Sequence, residues 1–133
     1  MLDDDDEITP NFVSELVGLL DRHPQASIAF GGQEVFREDG VVIGKSKDAL
    51  PEMLSGQEFI MATWKRYEYG FQSVSTFLAR TEQMRATGGY PNFCRGTHSD
   101  DALVTKLCLN SQVVLAIDAS SGTAYRNQAL AGL

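Results

Sequence analysis

Four consecutive carboxylates, Asp3, Asp4, Asp5 and Asp6, follow Leu2 at the front of a 133-residue chain. Crowding four carboxylates costs free energy unless a cation or hydrogen-bond donors meet them. In an extended backbone alternate side chains share a face, so Asp3 and Asp5 fall on one side and Asp4 and Asp6 on the other. A D-x-D at the mouth of a strand offers hard oxygen ligands to a divalent cation, the kind that clamps a phosphorylated substrate. The same residues also read as a solvated acidic first turn that complements the macrodipole of a following helix. A calcium loop fits poorly: counted from Asp3, the sixth position is Ile8 rather than glycine, and the twelfth is Ser14 rather than glutamate.

A second acidic pair, Asp100-Asp101, opens another expected helix. With Ser99 as N-cap this is ordinary helix-start chemistry. Its functional alternative is a general base held at a helix N-terminus beside a loop that could cover a substrate. Gly88-Gly89-Tyr90 reads as a helix C-cap and turn, or as backbone that lets a sugar or peptide lie close. His98, beside the acidic pair, is a candidate supporting group, whereas His23, next to Pro24, is expected to be exposed. Trp64 and Tyr67 on a helical face read as core before they read as a sugar-stacking platform.

Composition narrows the partners. A net charge of -7 argues against a nucleic-acid backbone or an anionic membrane as a direct partner. A nucleotide ligand stays open, since a bound metal can meet its charge. A hydrophobic content of 43% with twelve glycines describes one globular domain. Cys94 and Cys108 show no C-x-x-C spacing and no histidines arranged as zinc ligands. Cys108 falls on the apolar side of an expected helix as a buried free thiol, and a reducing cytoplasm fits best. No stretch approaches the ~18 apolar residues of a membrane span, and no signal-peptide pattern opens the chain.

These groups must be positioned by alternating strands and helices. Thr9 as N-cap with Pro10 at the first helical position starts a helix whose apolar period (Phe12, Val13, Leu16, Val17, Leu19, Leu20) runs to about Asp21. Ala26 to Phe30 is a short apolar strand. Gly31-Gly32 marks a bulge or close approach, and Gln33 to Phe36 resumes the strand. Glu38-Asp39-Gly40 signals a hairpin with Val41 to Ile43 as its return. Ala49 to Tyr67 reads as one or two helices, Phe71 to Ala79 as a strand, and Thr81 to Thr87 as a helix stopped by Gly88-Gly89. After a loop from Tyr90 to His98 come the Ser99 helix, a strand over Val113 to Ile117, and a last strand at Ala124-Tyr125-Arg126. The class is α/β, with a mixed sheet flanked by helices and a β-hairpin excursion.

Taken in order, the pieces resemble the second half of a family 2 glycosyltransferase of the GT-A fold. That family runs an apolar strand into L-D-x-D-D and a proline-started helix, matched by Leu2-Asp3-Asp4-Asp5-Asp6 and Thr9-Pro10. Phe77-Leu78-Ala79-Arg80 through Gly88-Gly89-Tyr90 matches its strand-helix stretch ending in a glycine pair and an aromatic. Asp100-Asp101-Ala102-Leu103-Val104-Thr105-Lys106-Leu107 stands where that family has its E-D-x-x-L-x-x-[KR]-L helix, with one residue fewer between the acidic pair and the first leucine, and Tyr125-Arg126 matches its closing dipeptide. Each motif alone is unspecific, whereas the ordered set spans nearly the whole chain. Two positions depart: the usual glutamate is Asp100, one methylene shorter, and Asn127-Gln128 stand where a histidine often follows the Tyr-Arg pair.

The resemblance implies inverting transfer of a sugar from a nucleotide-sugar donor, a UDP-sugar first among them, to a hydroxyl of a glycan or lipid-linked acceptor. It implies that Asp5 holds Mn²⁺ or Mg²⁺ on the donor diphosphate, with Asp3 at the ribose or the metal shell. It makes Asp101 the general base, supported by Asp100, and gives Gly88 and Gly89 to the acceptor side. Residues 1–133 would then be one unit, the metal and acceptor half of the domain, without the nucleotide-binding half that precedes the D-x-D in that family. The expected setting is cytoplasmic, with a peripheral place at the inner membrane face left open. The competing expectation is a non-catalytic acidic module that binds a divalent cation or a basic partner. As a half-domain the chain should expose an apolar sheet edge, self-associate and transfer no sugar by itself; sedimentation showing a monodisperse monomer at high concentration would count against this.

Overall fold

The computed structural model describes residues 6–45, 52–65, 74–92, 98–109, 111–115 and 122–126. They form a mixed α/β structure. The chain begins with β1 (Asp6–Ile8), α1 (Phe12–Arg22), β2 (Ala26–Phe30), β3 (Gly32–Phe36), β4 (Val42–Lys45) and β5 (Met53–Ser55). Next come α2 (Gly56–Ile60), a π-helical turn (Met61–Lys65), a 3-10 turn (Val74–Thr76), β6 (Phe77–Ala79) and α3 (Thr81–Ala86). The last elements are α4 (Ser99–Leu109), β7 (Gln112–Leu115) and β8 (Gly122–Arg126).

The strands make two four-stranded mixed sheets, ordered β1-β8-β3-β4 and β5-β7-β2-β6, where the sequence suggests one. In each sheet the inner pair is parallel, β8 with β3 and β7 with β2, and the outer strands are antiparallel. Gly31 lies where the chain leaves β2 for β3, so one stretch of chain serves both sheets. Its amide donates to the Thr76 carbonyl at 2.8 Å, which pins the crossing.

All five residues of β2 are buried, as a strand covered on both faces requires. On one face Ile28 and Phe30 join Phe59, Ala62, Phe77, Leu103, Leu107 and Cys108. Phe30 stacks on Phe59 with ring centroids 4.7 Å apart. On the other face Ala26 and Ala29 meet Phe12, Leu16, Leu19 and Leu20 of α1, whose 3.6-residue spacing supplies the buried stripe. Ala26 joins Ala29 rather than Ile28 because the β2–β7 register shifts between Ala26 and Ile28.

Several local expectations are corrected. Asn11, not Thr9, is the N-cap of α1; the Phe12 amide donates to the Thr9 carbonyl at 3.0 Å, so Thr9-Pro10-Asn11 form a turn before the helix. Met53 and Leu54, expected in a helix, lie in β5, because β7 offers them an antiparallel partner. Of the expected 71–79 strand, Phe77–Ala79 is extended and Val74–Thr76 forms the 3-10 turn, while 71–73 lie outside the described residues. His23 is half-buried rather than exposed, with Nε2 2.7 Å from Glu52 Oε1. Trp64 has its backbone in the π-helical turn, while Tyr67 and Cys94 lie outside the described residues.

Two contacts fix the helices. Arg80 Nε donates to the Ala26 carbonyl at 2.9 Å, and its guanidinium also reaches the Leu20 carbonyl, supplying a donor in the last turn of α1. At the start of α2, Ser55 and Glu58 form a capping box, and hydrogen bonds from the Ser55 hydroxyl and amide hold the Glu58 carboxyl below its usual range. There Gly56 donates to the Ser111 carbonyl at 2.9 Å, and a Cβ on it would sit 1.5 Å from the Cys108 carbonyl oxygen. Only glycine lets α2 meet α4 this closely. Gly56→Ala should therefore cost about 3 kcal/mol or more through overpacking against rigid backbone, read as a lowered denaturation midpoint; an unchanged midpoint would refute the contact.

Candidate functional site

Asp3 and Asp5, the expected metal ligands, lie outside the described residues. The last member of the run, Asp6, is buried as the first residue of β1 and sits opposite Tyr125 in the β1–β8 register. The acidic run thus leads into an edge strand whose partner carries the Tyr125-Arg126 pair. A strand and a turn separate Asp6 from α1, whose first-turn acid is Glu15, so Asp6 does not serve the α1 dipole. Among the described residues, no three histidine, cysteine or acidic side chains form a metal-binding group.

The second acidic cluster is fully described. α4 begins at Ser99, one residue earlier than an N-capping serine would allow; the Ser99 hydroxyl donates to the Pro91 carbonyl at 3.2 Å and ties the preceding loop to the helix. The first helical hydrogen bond runs from the Ala102 amide to the His98 carbonyl at 3.1 Å, so His98 occupies the capping position. Asp100 is exposed, whereas Asp101 is 39% exposed and places Oδ2 2.9 Å from His98 Nδ1. His98 has a φ of +61°, the one non-glycine in the left-handed region among the described residues.

The fold sets the direction in which this cluster faces. Two residues separate the end of α4 from β7, so the chain doubles back and α4 runs counter to β7 and to its parallel neighbour β2. α4 packs on β2 through Leu103, Leu107 and Cys108. Its N-terminal turn, with His98 and Asp101, therefore lies toward the carboxyl ends of β2 and β7. In α/β sheets that is the end where ligands bind.

Gly88 and Gly89 have φ values of +82° and +67°. The Gly88 amide donates to the Arg85 carbonyl at 3.0 Å and the Gly89 amide to the Met84 carbonyl at 2.9 Å, the paired bonds of a Schellman cap on α3. The helix-stop reading accounts for both glycines, and their amides are engaged within the cap. The Thr87 carbonyl receives Lys106 Nζ at 3.4 Å, which sets this turn beside the second half of α4, more than a turn beyond Asp101. A hollow of about 440 Å³ opens there, bordered by Ser27, Gln83, Thr87 and Lys106, at the amino end of β2.

Cys108 is buried, and desolvation pushes its thiol up to about 12, so it stays protonated and is a poor nucleophile at neutral pH. The contact that sequence reasoning missed is the direct His98–Asp101 bond. Its signal was the i, i+3 spacing, which brings two side chains together once the helix is known to start between them.

Among the described residues, no helix is long and apolar enough to cross a membrane. The cap makes a clear prediction: Gly88→Ala should lower the thermal midpoint by an amount equivalent to about 1 kcal/mol, because a Cβ is disfavoured at positive φ even though open space surrounds it. An unchanged midpoint would remove the cap from the account. Neither a protein-family model nor a curated protein sequence matches the chain.

Proposed function

We propose that this chain is the metal and acceptor half of an inverting glycosyltransferase of the GT-A type. The observation that carries the reading is Asp101, a partly exposed carboxylate in the first turn of α4, at the carboxyl ends of a parallel strand pair and bonded to His98. Support also comes from the element order, in which the acidic run enters a strand paired with the one carrying Tyr125-Arg126.

In this reading a UDP-sugar is the donor and a glycan or lipid-linked hydroxyl the acceptor. Asp5 and Asp3 supply hard carboxylate oxygens for Mn²⁺ or Mg²⁺, whose bound charge would stabilise the diphosphate leaving group. Asp101 takes the proton of the acceptor hydroxyl as its oxygen attacks the anomeric carbon in line. The bond from that carbon to the diphosphate oxygen breaks, and UDP leaves with the electron pair. Asp100, one position earlier and more exposed, adds negative potential at the same helix end.

Calorimetry with UDP and Mn²⁺ on the transferase that includes the nucleotide-binding half tests the donor side. There UDP binding should require Mn²⁺, vanish with a chelator and in Asp5→Asn, and persist in Asp101→Asn. In the transferase with its nucleotide-binding half, Asp101→Asn should lower transfer by about 10²–10⁴-fold. Transfer untouched by Asp101→Asn would sink the assignment and leave a non-catalytic acidic module as the better account.

A further inference from the structure

We infer that His98 is a positioning residue that holds the Asp101 carboxylate in the orientation a proton acceptor needs; this rests on the reading of Asp101 as the base. His98 Nδ1 lies 2.9 Å from Asp101 Oδ2. Among the described residues the Asp101 carboxylate makes no other hydrogen bond, and its side chain is 39% exposed. With Nδ1–H as donor, the ring is fixed in the tautomer whose Nε2 carries the lone pair.

The backbone supports the same conclusion. At φ +61° a residue with a Cβ is disfavoured relative to glycine, and asparagine visits this region more readily than histidine. Strained non-glycine residues of this kind cluster at functional sites, where the surroundings hold them in place. A stability rationale for histidine is weak, because an exposed pair of this kind contributes little to folding. What histidine adds over glycine here is a side-chain donor aimed at Asp101.

Among the described residues, no nearby charge competes for that donor. On the elements packed against α4, β2 carries no ionisable side chain, and α2 carries Glu58, which is taken up by Ser55. Along α4 itself Asp100 is exposed, and Lys106 reaches the Thr87 carbonyl. Among the described residues His98 and Asp101 therefore pair with each other alone.

Two substitutions separate positioning from backbone shape. His98→Gly relaxes the left-handed backbone but removes the donor. His98→Asn tolerates the backbone and places an amide donor where Nδ1 stood. In the chain itself, nitrogen-15 spectra should show the Nδ1-protonated tautomer of His98 in the wild type and lose that preference in Asp101→Asn. Side-chain couplings should report one Asp101 rotamer in the wild type and in His98→Asn, and an average of rotamers in His98→Gly, whose thermal midpoint equals or exceeds the wild type's. An Nε2-protonated tautomer in the wild type, or an Asp101 equally fixed in His98→Gly, overturns the positioning role. These readouts need no substrate, so they stand apart from the Asp101→Asn transfer assay. If that assay shows no loss, the proposed function falls and the catalytic meaning of the pair falls with it; if it shows the loss while the couplings fail, only the role of His98 is withdrawn.

Discussion

Both sheets depend on long-range parallel pairing. β2 takes β7 as its partner and β3 takes β8, so two neighbouring strands, each paired with a strand far along the chain, supply the inner pair of each sheet. Parallel neighbours cannot be joined by a tight turn, and everything between them in sequence must be folded away as crossover. The remaining strands attach to this frame antiparallel, and α1 and α4 cover opposite faces of β2. Pairing of this separation is costly to nucleate, because the loop entropy is lost before the contacts form.

The same pairing decides where chemistry can occur. With α4 returning directly into β7, its first turn has to lie toward the carboxyl ends of the parallel pair. His98 and Asp101 are thus carried there by topology rather than by local sequence. On the first sheet, β1 is held at the edge by β8, which fixes how the acidic run enters the fold. Arg80, bonding to carbonyls at the end of α1 and the start of β2, ties these two elements to the strand that precedes the glycine cap.

What could be read from the sequence follows a physical divide. β2 was legible because Ala26 to Phe30 is an uninterrupted apolar run bounded by Pro24 and Gly31, and α3 because Gly88-Gly89 ends it in a way only a helix needs. The hairpin at Asp39-Gly40 was legible from its turn residues. β5 was not, since Met53 and Leu54 continue a helical apolar spacing and become a strand only through β7. The Gly31-Gly32 step was read as a bulge, because nothing local distinguishes a bulge from a crossing between sheets. At the site, Asp100 and Asp101 were legible as first-turn acids, but the His98 bond required knowing that α4 starts at Ser99. The apposition of Asp6 and Tyr125, more than a hundred residues apart, has no local signature at all.

The contact between Gly56 and Cys108 carries a last consequence. What excludes a side chain at position 56 is the carbonyl oxygen of residue 108, a group every amino acid possesses, and not the thiol. The constraint is therefore one-sided. Among sequences sharing this architecture, position 56 would be invariant while position 108 drifts among small apolar residues, and no covariation would link them. Two residues in close contact would look statistically independent.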